Sequence, residues 1–432
     1  MEKEAKTLME VRPRTRVTGF MESIIPSKLN TRAKLYLTGS VVNGVSNGIV
    51  GAVMQLYFIS LGFTASDMGK IFMFNPLACA VFAIPCGILA DRYGKGKMIQ
   101  LGALSVFLGA MGIILARSIL WFGLSFFMFG ISNATSTVMM PLYSSFYDKE
   151  NMEKALGLYG LINISAVSLG SLAGYIPAYM IGTQAFTEVS AYRVLVIAAA
   201  VLFLLQNFFY IASSRGIEEK LREDFSFKLK SWRPVLKFSA LTLSLNIAGA
   251  ILFSFFPYYV NQKFGIASAG LGTLFFISNL TMALSKGAAA SIAQRLGKMK
   301  SIVVGITLSS FFFLLMPLSP SFSVLSLLYI LRSSTRFMSD PIITSLFLKS
   351  ISDDEQSTAN SIRMIAMNGS GAGSSWIGGY LLENVGLDSP AYIGAAITLL
   401  LAGFYPLLLR GEIMETNEAP SEGRKMMLSP SN

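Results

Sequence analysis

The sequence predicts an all-α membrane protein with twelve transmembrane helices in two six-helix, pseudo-symmetric halves. Three observations carry this. The chain is 53% hydrophobic and 14% charged over 432 residues, where a soluble chain carries about 25% charged residues. Its apolar residues gather into twelve runs, most of which reach the ~20 residues that cross a bilayer as helix. A charged hairpin around Asp91, Arg92, Gly94, Lys95 and Lys97 returns as Gln294, Arg295, Gly297, Lys298 and Lys300. The offset from Gly94 to Gly297 is 203 residues, about half the chain, which marks a duplicated unit.

In chain order, residues 1–34 are polar, with no apolar core before a cleavage site, and are expected to form a tail without a signal peptide. Runs at about 35–61, 67–90, 97–116, 118–146, 156–181 and 190–211 make the first half, 35–211. Residues 212–234, with Arg215, Glu218, Glu219, Lys220, Arg222, Glu223 and Asp224, are the long polar break and are expected to link the halves. Runs at about 235–260, 268–293, 301–318, 321–348, 359–382 and 389–409 make the second half, 235–410, before a tail at 411–432. The joins are brief, as in Gly62-Phe63-Thr64-Ala65-Ser66. Helices joined in this way satisfy their own backbone groups inside hydrocarbon. Asn43, Gly62 and Gly69 meet Asn246, Gly265 and Gly272 at the same 203-residue offset, and Pro141 meets Pro341 at 200. Six spans return the chain to its starting side, so the halves run parallel.

The formal net charge of +11 is distributed unevenly. Of the 35 Lys and Arg, 27 fall on the side of the Asp91 hairpin and four, Lys70, Arg117, Arg193 and Lys263, on the other. That asymmetry places the hairpin side and both termini in the cytoplasm of a multi-pass protein of the cytoplasmic membrane. No basic face interleaved with aromatics offers itself to nucleic acid. With no His there is neither a neutral-pH proton carrier nor the commonest metal ligand. Cys79 and Cys86 lie about 10 Å apart along one helix, too far to bond. No paired carboxylates or phosphate loop suggest an enzyme. The expected partners are the lipid bilayer and a small-molecule substrate, with no cofactor or metal, and the protein is expected to be a monomer.

The stretch Gly87-Ile88-Leu89-Ala90-Asp91-Arg92-Tyr93-Gly94-Lys95-Gly96-Lys97 resembles the G-x-L-A-D-R-x-G-[RK]-[RK] signature between the second and third spans of the major facilitator superfamily, with Gly96 interrupting the basic run. The resemblance implies a secondary transporter whose spans one, four, seven and ten line a central cavity. It also implies that spans two and eleven, and five and eight, face each other across the halves. Gly170, Gly174, Gly287, Gly378 and Gly379 suit such close approaches. Gly87, Asp91, Arg92, Gly94 and Lys95 would form a conformational latch. In it, the Asp91 carboxylate meets the positive start of span eleven near Ala359 and Asn360 when the cytoplasmic side is shut. Drug antiporters of this superfamily carry a Gly-Pro pair in span five and an Arg in span four; here span five has Gly170-Ser171-Leu172-Ala173-Gly174 and span four has no charge.

Within the apolar runs, Arg332, Arg336 and Asp340 recur every four residues beside Pro341, on one stripe of span ten. Each would cost roughly 2.5–3.5 kcal/mol facing lipid, so the stripe faces protein or water. Two readings stand: an anion-binding wall with Arg332 in excess, or an ion-pair cluster that ties spans together. Lys286, Asn43 and Asn246 are further candidates for the cavity wall, the two asparagines at equivalent positions of the halves. The function expected is alternating-access movement of a small organic solute, an anionic one if Arg332 is exposed to it. The alternatives are multidrug efflux and, in another class, a non-transporting receptor or scaffold. The charge asymmetry has a direct check. A Lys220→Cys substitution on a background lacking Cys79 and Cys86 is expected to resist an impermeant thiol reagent in sealed cells and to react once they are permeabilised; labelling of sealed cells would reverse the topology.

Overall fold

The computed structural model describes Pro26 and residues 29–216, 231–352 and 355–418. Most of the expected tails and residues 217–230 of the expected linker lie outside the described residues. The first half consists of α1 (Thr31–Ser60), α2 (Ala65–Phe72, resuming as Phe74–Tyr93), α3 (Lys95–Leu115), α4 (Ile119–Thr135, with Met139–Ser144 after a 3-10 turn), α5 (Lys149–Ser171, with Tyr175–Gly182 after a 3-10 turn) and α6 (Glu188–Ser214). The second half consists of α7 (Trp232–Phe253, resuming as Phe256–Phe264), α8 (Ser268–Leu296), α9 (Lys298–Leu315), α10 (Phe322–Lys349), α11 (Gln356–Asn384) and α12 (Ser389–Glu418). The last helix runs past the boundary expected at residue 410.

Among the described residues, ten helical spans are long and apolar enough to cross a bilayer by composition. The two that fall short are α10, which carries the Arg332, Arg336 and Asp340 stripe, and α11, which is rich in Gly, Ser and Asn. Both are full-length helices of 28 and 29 residues. Their polarity reflects helices that turn much of their surface to protein and water rather than to lipid.

The repeat is visible in the backbone. Gly94 (φ 94°, ψ 147°) ends α2, and Gly297 (φ 83°, ψ 148°) ends α8. Their N–H groups donate to Ala90 and Ala293 at 2.9 and 3.0 Å. Positive φ is strained for any side chain bearing a Cβ, which is why both hairpins turn on glycine. Packing repeats as well: α1 lies against α5 and α6 as α7 does against α11 and α12, and α4 lies against α2 and α3 as α10 does against α8 and α9.

The halves meet through α2 with α11 and α5 with α8. The repeat-related Gly69 and Gly272 mark these crossings. A Cβ on Gly69 would strike the Ser375 carbonyl at 2.8 Å, and one on Gly272 would strike the carbonyl of Ser171. Where backbones approach this closely, hydrogen bonds follow: Ser268 Oγ donates to the Gly174 carbonyl at 2.7 Å and Ser171 Oγ to that of Gly272 at 3.0 Å. At the start of α2 the Ser66 N–H donates to Glu383 of α11 at 2.9 Å.

All these contacts lie toward the end opposite the hairpins. There one continuous core joins Ile49, Tyr57 and Phe58 of the first half to Phe255, Tyr259 and Leu271 of the second. At the hairpin end the cores are separate, one around Tyr36, Tyr143 and Tyr210, the other around Phe238, Phe347 and Tyr405. The molecule is therefore shut at the far end and parted at the hairpin end.

One side chain stitches the far end directly. Pro257 lacks an N–H, so α7 is interrupted between Phe253 and Phe256. In an unbroken helix the Tyr258 N–H would reach the Ser254 carbonyl. Instead the Gln55 carboxamide of α1 inserts between them. Its Nε2 donates to Ser254 O at 2.7 Å, and its Oε1 accepts from Tyr258 N at 3.0 Å. A Gln55→Ala protein loses both bonds, worth about 1–3 kcal/mol together, and is expected to populate a state open at the far end. Spin labels on Thr183→Cys and Val385→Cys should then show a new longer-distance population, and an unchanged distribution would leave Gln55 without a role in closure.

Candidate functional site

Four cavities follow one another through the molecule. The first opens at the hairpin end, holds about 730 Å³, and lies between Gly87, Lys95 and Met140 on one wall and Asn360, Ser361 and Met364 of α11 on the other. It shares Ser136 and Met140 with a second cavity of about 370 Å³ inside the first half. That one shares Asn43, Asn47, Ser132, Asn133 and Gln206 with a third of about 160 Å³. The third shares Val50, Met54, Asn75 and Phe126 with a fourth of about 360 Å³ between the halves, which ends at Gln55 and Ser254 beneath the far-end closure. Among the described residues the lining beyond Lys95 carries no charge and mixes amides and hydroxyls with apolar side chains such as Val50, Met54, Ile113 and Phe126. Asn133 Nδ2 donates to Asn75 Oδ1 at 3.0 Å, linking α4 to α2, and Asn47 Nδ2 donates to Asn43 Oδ1 at 3.1 Å. Gln206 is 6% exposed, and its Oε1 has no hydrogen-bond partner.

Of the residues singled out in the sequence, Asn43 lies on this path. Asn246 is half-buried and lines none of these cavities, and Lys286 lines a separate one of about 360 Å³ between α8 and α10 with Pro341 and Ser345. On the hairpin, Gly87 and Lys95 line the opening, while Arg92 is exposed with its guanidinium 5.6 Å from the Tyr93 ring. The Asp91 side chain lies outside the described residues.

The α10 stripe is divided. Arg336 donates to Asp340 one turn on, as the spacing predicted. Arg332 is 6% exposed and turns away from the path into the second half, its Cζ 3.8 Å from the Phe253 ring centre and 5.0 Å from that of Phe313. Gly249 of α7 leaves the room: a Cβ there would approach an Arg332 Nη at 3.3 Å. The excess cation of the sequence packs on two aromatic faces, its Nε is buried without a hydrogen-bond partner among the described residues, and Arg332 lines none of the four cavities. At the 203-residue offset shared by the hairpin glycines and by the helix starts after Ser118 and Ser321, Arg332 corresponds to Phe129. A ring in the first half thus stands where a stacked guanidinium stands in the second.

The Major Facilitator Superfamily model matches residues 36–257 and again 238–429. The chain belongs to the Major Facilitator Superfamily. It is 23% identical over 324 residues to an uncharacterized MFS-type transporter of Methanocaldococcus jannaschii, covering 74% of this chain and 83% of that protein. It is likewise 23% identical over 340 residues to a multi-drug resistance efflux pump PmrA homolog of Lactococcus lactis, covering 74% and 81%. Among solved structures, a bacterial homolog to the human lysosomal transporter Spinster, in an inward-facing and unoccupied conformation, superposes with a TM-score of 0.64 at 14% identity, covering 90% of this chain and 98% of that one. As a Major Facilitator Superfamily member the chain is a multi-pass membrane transport protein and not an enzyme.

Gln206, Ser132 and Asn75 were not singled out in the sequence. The signal was present: Gln206-Asn207 is a polar pair inside the apolar run of α6, but nothing in the sequence shows which face of α6 meets a void. The placement of Arg332 yields a stability prediction. Arg332→Ala empties the slot between Phe253 and Phe313 and is expected to cost about 2–5 kcal/mol. Arg332→Met refills it without burying a charge and should melt close to wild type. Melting temperatures of the two variants check this, and an Arg332→Met protein that melts normally yet loses solute affinity would restore the anion wall.

Proposed function

We propose that the protein moves a small organic solute across the cytoplasmic membrane by alternating access, and that the state described faces the cytoplasm. The observation that carries this reading is the run of four cavities from the parted hairpin end to the Gln55 closure. A path that is wet at one end and sealed by cross-half hydrogen bonds at the other is half of an exchange cycle. The excess of Lys and Arg on the hairpin side makes the open end cytoplasmic. Gln55 and the glycine crossings hold the far end shut. The complementary state needs an equivalent contact at the hairpin end, and Asp91 on the start of α11 supplies it. In the present state the Gly87 wall and the Asn360 wall stand on either side of the opening, as an unlatched end requires.

Of the positive charge that pointed to an anionic solute, Arg336 is paired with Asp340 and Arg332 packs on rings away from the four cavities. The cavity walls beyond Lys95 offer hydrogen bonds instead. Flux of radiolabelled metabolites into proteoliposomes is the direct test; a folded protein that moves nothing but retains a binding partner would be a receptor. The latch has its own measurement. Asp91→Asn removes the charge at the α11 start, worth about 0.3–1 kcal/mol. It is expected to shift the population roughly two- to five-fold toward the state open at the hairpins. Labels on Gln100→Cys and Lys300→Cys report that opening, and an unchanged distribution with unchanged flux would make Asp91 a marker of topology alone.

A further inference from the structure

We infer that the cleft between α8 and α10 at the hairpin end holds the phosphate of an anionic phospholipid of the cytoplasmic leaflet, on Lys286 and Lys298. The inference goes beyond the carrier reading and is independent of the solute carried. The cleft holds about 360 Å³, within the range of small-molecule sites. Lys286, Ala289, Ala293 and Gln294 of α8 line it, with Lys298 at the start of α9 and Pro341, Ile342 and Ser345 of α10. Lys286, Ala293, Lys298 and Pro341 stand 203 residues on from Ala83, Ala90, Lys95 and Val138, which line the opening in the first half. The two are copies of one feature with different chemistry. The acid Asp91 is matched by the uncharged Gln294, and Ala83 by Lys286. In the first copy Asn360, Ser361 and Met364 of α11 supply a facing wall, whereas no residue of the first half lines the second copy.

The charges of this cleft have no answer in the helices that form it. α8 and α9 contain no Asp or Glu, and Asp340 of α10 is paired with Arg336. Among the described residues neither lysine is ion-paired. Lys286 is half-buried, with its Nζ 5.2 Å from the Phe337 ring centre. Lys298 is also half-buried and repels the like-charged Lys349 at the end of α10. Cations set into a spanning helix without a counter-charge are costly, so an anion belongs between them. The walls say which anion. Ala289, Ala293, Pro341 and Ile342 give the cleft an apolar side, suited to the glycerol and first acyl carbons beneath a phosphate. Gln294 and Ser345 add hydrogen-bonding groups at the same cleft. Lys286 lies about 12 Å along α8 from Gln294, and its stem can lift the ammonium toward the headgroup level. Basic pockets between helices on the cytoplasmic side meet the leaflet that carries anionic lipid.

The experiment uses purified full-length protein in detergent, with phosphatidylglycerol, phosphatidylcholine and glycerol 3-phosphate as probes in equilibrium binding. Phosphatidylglycerol is expected to bind about ten-fold tighter than phosphatidylcholine, as two cations near an anionic headgroup require. Lys286→Gln and Lys298→Gln should each weaken its binding about five-fold at an unchanged melting temperature. If Lys286→Gln does not fold, Lys298→Gln at the water boundary carries the same expectation. Lys300→Gln, exposed on the same hairpin but outside the cleft, should leave binding unchanged. Equal binding of the two lipids or unchanged binding by a folded Lys298→Gln protein overturns the site. So does a loss in Lys300→Gln as large as in Lys298→Gln, which would mean diffuse attraction to a basic hairpin. Displacement of phosphatidylglycerol by an equal concentration of glycerol 3-phosphate overturns the lipid assignment in favour of a soluble phosphate compound.

Discussion

Backbone-to-backbone contact at the far end is the constraint on which the rest of the structure depends. Two six-helix bodies with separate cores at one end are held by a single shared core at the other. That arrangement needs helices that approach closely, and the approach needs positions without side chains. Gly69 and Gly379 provide it between α2 and α11, and Gly174 and Gly272 between α5 and α8. At the α5–α8 crossing carbonyls come near enough for serine hydroxyls to bond across, and small residues at both crossings do not obstruct sliding. The cavities exist because the same helices diverge as they leave these crossings.

The two halves share a plan and differ in their interiors. The repeat preserves the hairpin glycines, the helix neighbours and the prolines of α4 and α10. It does not preserve what fills the bundle. Phe129 borders a cavity in the first half, and Arg332 stacks on Phe253 and Phe313 in the second. Duplication followed by divergence gives unlike interiors on a symmetric frame.

Much of this was legible in the chain. Hydropathy, the repeated hairpin and the superfamily signature define twelve spans in two halves, because hydrocarbon leaves the backbone few choices. The α10 charges stood out, and their pairing at Arg336 and Asp340 followed from helical spacing. The environment of Arg332 did not, because cation–π burial depends on Phe253 and Phe313, which lie 79 and 19 residues away along the chain. Asn43 was legible as a wall residue through the repeat, yet its mate Asn246 lines no part of the path, since sequence symmetry survives where shape symmetry has been lost. Gln206 was hidden for a simpler reason: an amide within an apolar span reads alike whether it bonds a neighbouring helix or faces a void.

The Gln55 carboxamide also couples the protein to the activity of water. While it sits in the interrupted turn of α7, the Ser254 carbonyl and the Tyr258 N–H are both satisfied by protein. Were the halves to part at that end, the amide would pass to solvent and the two backbone groups would have to bond water or each other, because a backbone group left bare in a membrane interior is costly. Opening is thus a hydration step as well as a mechanical one. An excluded osmolyte that lowers water activity would oppose any opening that hydrates the amide.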